Sequence, residues 1–193
     1  MILGITGSFG AGKTTVARLF AKRGYEIIDA DKIGHQLYNK KTTKNKVIME
    51  FGRKILTKNK IDRKKLKKIV FHNNKELRKL SWIMWPEIIK GIMSIIKSSD
   101  KNIAIDAAIL IEANALPLVD KLIVVKADSR VLMKRLINKG KYTRKEIKTI
   151  LSSQLPQNKK LMYADYIIDN SKSLNNTEQQ VKRIIKSIKI NNQ

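Results

Sequence analysis

Gly7-Ser8-Phe9-Gly10-Ala11-Gly12-Lys13-Thr14 follows a short apolar run at residues 2–5 and leads into Thr15, Val16, Leu19 and Phe20. It fits the phosphate-loop pattern of glycine, four free positions, then Gly-Lys-Thr. Glycines let the backbone turn so that several N–H groups face one point. The pattern alone fixes few residue types and also suits a glycine-rich turn in another α/β protein. The context decides. A strand-like run enters the loop, and apolar spacing after it predicts a helix over 15–21 whose N-terminus favours anionic oxygen. Residues Gly7, Ser8, Phe9, Gly10, Ala11, Gly12, Lys13, Thr14 and Thr15 are therefore expected to grip a nucleoside triphosphate. Lys13 would reach the outer phosphates, and the Thr14 hydroxyl would sit on Mg²⁺.

The chain has 193 residues, enough for one substantial core with a small lid or insertion. No apolar run approaches the roughly 20 residues that span a bilayer, and the apolar start runs straight into the loop instead of resembling a cleavable leader. There is no cysteine, hence no disulfide or thiolate metal site. A cytoplasmic setting is the expectation, with no membrane partner. The net charge of +25 is extreme, and such charge attracts anions, nucleic acid included. Lysine is scattered along the whole chain, however, beside abundant isoleucine and asparagine, as a composition bias would leave it. Four Phe and two Trp offer few platforms for stacking bases. A solvated lysine-rich surface without an obligate nucleic-acid partner is the expectation.

Strands are predicted at 2–5, 25–28, 103–106, 122–125 and 166–169. Helices are predicted at 32–39, 43–52, from Asp62 onward, 75–98, 129–138, 143–153 and from Asn175 or Asn176. Asp62 is an N-cap candidate, and Thr143 with Glu146 fits a capping box. Pro86 is expected to kink or break the long helix. Trp82 and Trp85 flank it, with core packing as their default role and an acceptor-pocket wall as the alternative. Strands alternating with helices argue for an α/β fold of three layers, with a central parallel sheet of about five strands. Ligands of such sheets lie beyond the C-terminal strand ends. The phosphate loop follows the first strand, Asp29 and Asp31 end the second, and Asp106 ends the third, so all should share one edge.

Phosphoryl transfer needs positioning, charge neutralisation and an in-line acceptor. Asp31 is the candidate for orienting an acceptor hydroxyl and taking its proton; the alternative is an N-cap for the helix beginning at Lys32. Asp29 would cap a helix or support the Mg²⁺ waters. Asp106 would contact Mg²⁺ through water or serve as a turn residue. Arg135, beside the basic turn Lys139-Gly140-Lys141, has the planar fork that suits phosphate oxygens, and a helix plus basic turn suits a lid that excludes water. Glu112 lies in the irregular stretch 107–120, which must pass near the same edge, although a lone glutamate there is usually a solvated loop charge. Gln154 and Lys160 follow the lid candidate and could line the same pocket, although spacing alone favours a surface position for each. His35 and His72 are far apart and predict no metal site.

Several segments in this order resemble the dephospho-coenzyme A kinases, the last enzymes of coenzyme A synthesis. They are Thr6-Gly7 through Ala17, Ile28-Asp29-Ala30-Asp31-Lys32-Ile33, Phe51-Gly52 with Ile55-Leu56, Ile61-Asp62-Arg63 with Leu66, and Val70-Phe71. Further on come Pro86-Glu87-Ile88, Leu110-Ile111-Glu112, Gln154, and Ala164-Asp165-Tyr166-Ile167-Ile168-Asp169-Asn170. The resemblance implies a phosphate-loop nucleoside triphosphate hydrolase-like fold and ATP-dependent phosphorylation of the ribose 3′-hydroxyl of dephospho-coenzyme A, with Mg²⁺. It implies a nucleotide-binding core (1–32, 101–128 and 161–193), a helical acceptor region (33–100) and a lid (129–160). Asp31, Lys13 and Arg135 become the expected catalytic set, and Asp31, Glu112 and Gln154 the expected acceptor contacts. Gly34 and His35 stand where the family usually has Ala-Arg, Trp85 where it has histidine, Ala108 where it has proline, and Lys139 and Gln157 at positions often arginine. These departures predict weaker acceptor or phosphate binding in a working enzyme. The alternatives are a nucleoside or nucleotide kinase on the same core, and a nucleotide-dependent nucleic-acid-binding protein.

Overall fold

Apolar side chains alternate along the strands, and each half of the alternation feeds a different core. The computed structural model describes residues 1–190. Its elements begin with β1 (Ile2–Thr6), α1 (Lys13–Ala21), β2 (Glu26–Asp29), α2 (Ala30–Leu37) and α3 (Lys41–Phe51). A small hairpin of β3 (Leu56–Thr57) and β4 (Lys60–Ile61) precedes α4 (Arg63–Val70) and the long α5 (Asn74–Lys97). Then come β5 (Ile103–Asp106), β6 (Lys121–Lys126), α6 (Ser129–Asn138), α7 (Arg144–Ser153), α8 (Gln157–Leu161), β7 (Tyr166–Asp169) and α9 (Leu174–Ile190).

The main sheet has five strands in the order β2-β5-β1-β6-β7, and every pair is parallel. Ile103, Ile105, Leu122 and Val124 face one core with Val47, Leu66, Ile88 and Ile92. Leu3, Ile5, Ala104, Ile123 and Val125 face the other, against Val16, Phe20, Val181 and Ile184. Parallel strands covered on both faces give the expected three layers. The chain leaves β1 toward β2 on one side and later crosses to β6 on the other, which makes the C-terminal end of β1 a switch point where ligands bind. Register aligns the acidic ends, since both Ile5 and Asp29 pair with Asp106.

A third, small core joins Leu132, Leu136 and Ile147 with Phe9, Met133, Tyr142 and Leu151. Each buried aliphatic chain contributes about 1.5–3 kcal/mol. Three buried chains are few beside the two sheet cores, so α6 and α7 depend on Phe9 of the phosphate loop for part of their packing. The Thr143–Glu146 capping box forms as expected, with Glu146 accepting from the Thr143 amide at 2.6 Å.

Some expectations are corrected. Pro86 does not break α5, which runs unbroken through it. Proline there deprives the Trp82 carbonyl of its helical donor; Trp82 is 82% exposed, so water can supply that bond. The same exposure overturns a core role for Trp82, whereas Trp85 packs partly buried against the larger core. The β3–β4 hairpin and α8 are too short to leave a periodic signal.

Glu87 sits beside Pro86, nearly buried, and gathers Lys40 (2.9 Å), Lys90 (3.2 Å) and Lys46 (3.7 Å). Hydrogen bonds from Lys40 and Lys90 hold its carboxyl down from the ordinary 4.5 to about 2. A depressed carboxyl stabilises the fold above its unfolded value and loses that contribution as pH falls through the folded one. Glu87→Gln should therefore destabilise by about 1–2 kcal/mol at neutral pH. In thermal melts the gap from the native chain should narrow below pH 4.5 and close near pH 2.

Candidate active site

The phosphate loop turns where only glycine fits. Gly12 has φ +95°, and a Cβ there would strike the Asn170 amide; a Cβ at Gly7 would strike the Val125 carbonyl oxygen. Asn170 is buried behind the loop. It donates to the Ala11 carbonyl (2.8 Å) and accepts from the Thr177 hydroxyl (2.9 Å), so α9 braces the loop from below. The Ala11 amide turns back onto the Ser8 carbonyl, and the Phe9 amide donates to Gln154 Oε1 at 2.9 Å. The amides of Gly10, Gly12, Lys13 and Thr14 have no acceptor among the described residues. α1 begins without a side-chain cap or an acidic residue in its first turn. Free amides and an uncapped helix start form an anion cradle.

Charged groups converge on that cradle. The Lys13 ammonium lies 3.4 Å from the Ser8 carbonyl oxygen, and burial lowers its pKa while Asp106 and Asp31 oppose the shift. Arg135 comes from α6. Its Nη1 is buried without a partner among the described residues, about 4.0 Å from where a Gly12 Cβ would lie. A buried guanidinium nitrogen left unpaired is costly, and a phosphate oxygen over Gly12 would satisfy it. The residues present thus fit a triphosphate.

Thr14 donates its hydroxyl to Asp106 Oδ2 at 2.8 Å. Burial raises the Asp106 carboxyl, against the pull of Thr14 and Lys13. No group of three or more His, Cys, Asp or Glu that could hold a metal forms among the described residues. One hydroxyl backed by one carboxylate suits Mg²⁺, which takes hard oxygen ligands and draws the rest from phosphates and water.

Across the cleft, Asp29 caps α2 by accepting from the Lys32 amide at 2.9 Å. The capping alternative for Asp31 is thereby overturned. Asp31 stands in the first turn with its carboxylate free of any hydrogen bond or ion pair among the described residues. The cleft walls raise its pKa by displacing water, and the neighbouring Asp29 adds to this; Lys13 acts in the other direction. One turn on, His35 Nε2 lies 2.7 Å from Arg63 Nη2. Burial, then Arg63, lowers the His35 pKa. The neutral ring accepts from Arg63, because a guanidinium can only donate.

Lys160, expected at the surface, is 0% exposed. It donates to the Ala108 carbonyl and pairs with Glu112 Oε1 at 2.9 Å. Glu112 also accepts from the Leu155 amide at 2.8 Å. Gln157 accepts from the Ala127 amide at 3.1 Å, and Lys139 is an exposed C-cap. Tyr142 meets Phe9 edge-on at 5.1 Å, with the Lys67 ammonium 4.2 Å from its ring centre. Sequence reasoning gave Asn170, Lys160 and Tyr142 no definite place at the site. Asn170 carried a signal, as the last residue of the Ala164–Asn170 segment, and Lys160 a weaker one, its place after the lid candidate; Tyr142 carried none.

Comparison with known proteins gives the family. Residues 1–176 match the dephospho-CoA kinase family. The chain belongs to that family. A dephospho-CoA kinase of Fusobacterium nucleatum is 38% identical over 190 residues, covering 97% of this chain and 98% of the relative. The solved dephospho-CoA kinase of Campylobacter jejuni is 30% identical with a TM-score of 0.69, covering 100% of this chain and 98% of that one. A shikimate kinase of Bacteroides thetaiotaomicron, 19% identical with a TM-score of 0.55 and 98% coverage of both chains, shares the fold. The dephospho-CoA kinases thus place this chain among phosphate-loop kinases, as its parallel sheet and anion cradle suggested.

Proposed function

We propose that this chain transfers the γ-phosphoryl group of ATP to the ribose 3′-hydroxyl of dephospho-coenzyme A, giving coenzyme A and ADP. The observation that carries the reading is the free Asp31 carboxylate, facing the cleft that holds Lys13 and the Thr14–Asp106 pair. Asp31 accepts the hydroxyl proton as the oxygen attacks the γ-phosphorus. The bond from that phosphorus to the bridging oxygen breaks, and ADP departs. The free loop amides, Lys13 and Arg135 hold the phosphate oxygens whose charge shifts during transfer. Mg²⁺, held by Thr14 with Asp106 behind it, would neutralise charge on the outer phosphates.

Glu112 Oε2 and the Gln154 Nε2 group have no partner among the described residues, and both remain for the acceptor. The working division is a nucleotide core (1–32, 101–128 and 161–193), an acceptor region (33–100) and a lid (129–160). Residues 191–193 of the core lie outside the described residues. No helix among the described residues is long and apolar enough to cross a membrane. The reading carries a cytoplasmic setting and no obligate nucleic-acid partner.

An acceptor panel tests it. With ATP and Mg²⁺, ADP release should rise with dephospho-coenzyme A and stay at background with nucleosides and nucleoside monophosphates. The reverse pattern would replace this reading with a nucleoside or nucleotide kinase.

A further inference from the structure

Lys160 is a fully buried cation that the reaction as described does not use. Burying an ammonium costs several kcal/mol, and an apolar residue of similar shape can often replace a buried pair without loss of stability. Packing alone therefore does not account for its charge. Its bonds describe a closed ring. Lys160 donates to Ala108 O and Glu112 Oε1. Glu112 holds the Leu155 amide, and the adjoining Gln154 holds the Phe9 amide of the phosphate loop. The Ala108 carbonyl also accepts from the Thr6 hydroxyl at 3.1 Å, and Thr6 leads directly into Gly7. The ring thus ties both ends of the loop's first half to the segment after β5 and to the chain returning from α7. That segment starts just after Asp106, which holds Thr14.

We propose that Lys160 is a positioning residue for phosphoryl transfer: through Glu112 and Leu155 it sets Gln154 against the Phe9 amide and fixes the tip of the phosphate loop. The Gln154 bond occupies the Phe9 amide and leaves the amides of Gly10, Gly12, Lys13 and Thr14 to the phosphates. Without Lys160, Glu112 and Ala108 lose their common donor, Leu155 loses its fixed acceptor, and the loop tip loosens. Misplacement on the order of 1 Å can cost about 10²-fold in rate.

The inference rests on the kinase reading above, and a double-mutant cycle separates the two. Wild-type turnover with dephospho-coenzyme A tests that reading; ratios among variants, taken with whichever acceptor the wild type uses, test the ring. Lys160→Met should lower kcat by about 10- to 100-fold while the acceptor KM changes by less than about threefold. Gln154→Ala should lose a comparable factor. The double variant should be no slower than the slower single, because both act through the Phe9 amide. Circular dichroism and thermal melts establish that each variant is folded. If Lys160→Met does not fold, Lys160→Gln, which also removes the charge, takes its place in the same cycle. Multiplied losses in the double variant, or wild-type kcat in folded Lys160→Met, would overturn the proposal.

Discussion

Lys13→Ala should lower kcat by about 10²–10³-fold and weaken ATP binding as well. The amine is a flexible cation at the cradle, held near Ser8 and opposite two carboxylates, Asp106 and Asp31. Burial disfavours its charge in the free protein, and an arriving triphosphate supplies the counter-charge. The interaction therefore strengthens as negative charge moves to the bridging oxygen, so the loss should appear in kcat and not only in KM. Removing the side chain also leaves Asp31 and Asp106 facing each other without their shared cation, which raises both carboxyls further. Steady-state kinetics over a range of ATP concentration, with fluorescent nucleotide binding, measures both effects. Near-normal turnover and affinity together would dismiss the loop as the triphosphate site.

The phosphate loop and the parallel sheet were legible in the sequence because their signals are local. A glycine pattern between a strand and a helix specifies a loop geometry, and Gly7 and Gly12 sit where a Cβ collides with Val125 or Asn170. Apolar alternation in the strands and the Thr143–Glu146 pair also act over a few residues. What stayed hidden depends on contacts between distant segments. Lys160 looks like one more surface lysine in a chain with 41 Lys and Arg, and its burial follows only from the meeting of α8 with residues 108 and 112. Asp29 and Asp31 both suit a helix start, and the choice between them fell to one hydrogen bond, from the Lys32 amide to Asp29. Trp82 looked like core until the arrangement of helices left it outside. The departures at His35 and Gln157 proved to be engaged residues, one with Arg63 and the other with Ala127.

Asp31→Asn isolates the chemical step. Asparagine keeps the size of the side chain and removes the base, so kcat should fall by about 10²-fold or more. ATP affinity should stay within about twofold, because among the described residues the loop amides make their one side-chain hydrogen bond to Gln154 and none to Asp31. The pH profile supplies the second readout. The cleft raises the Asp31 carboxyl above its ordinary 3.8, chiefly by displacing water, with Lys13 opposing. Only the ionised form can take the hydroxyl proton. Activity of the native enzyme should therefore fall as pH drops, with a midpoint above 3.8. Asp31→Asn should keep a small residual rate that is flat through the same limb. Asp31→Glu retains a carboxylate one methylene farther out, so it should recover part of the rate and restore the limb. A pH limb that persists unchanged in Asp31→Asn would assign the titration to another group, with Asp106 the next carboxylate in the cleft, and would remove Asp31 as the base.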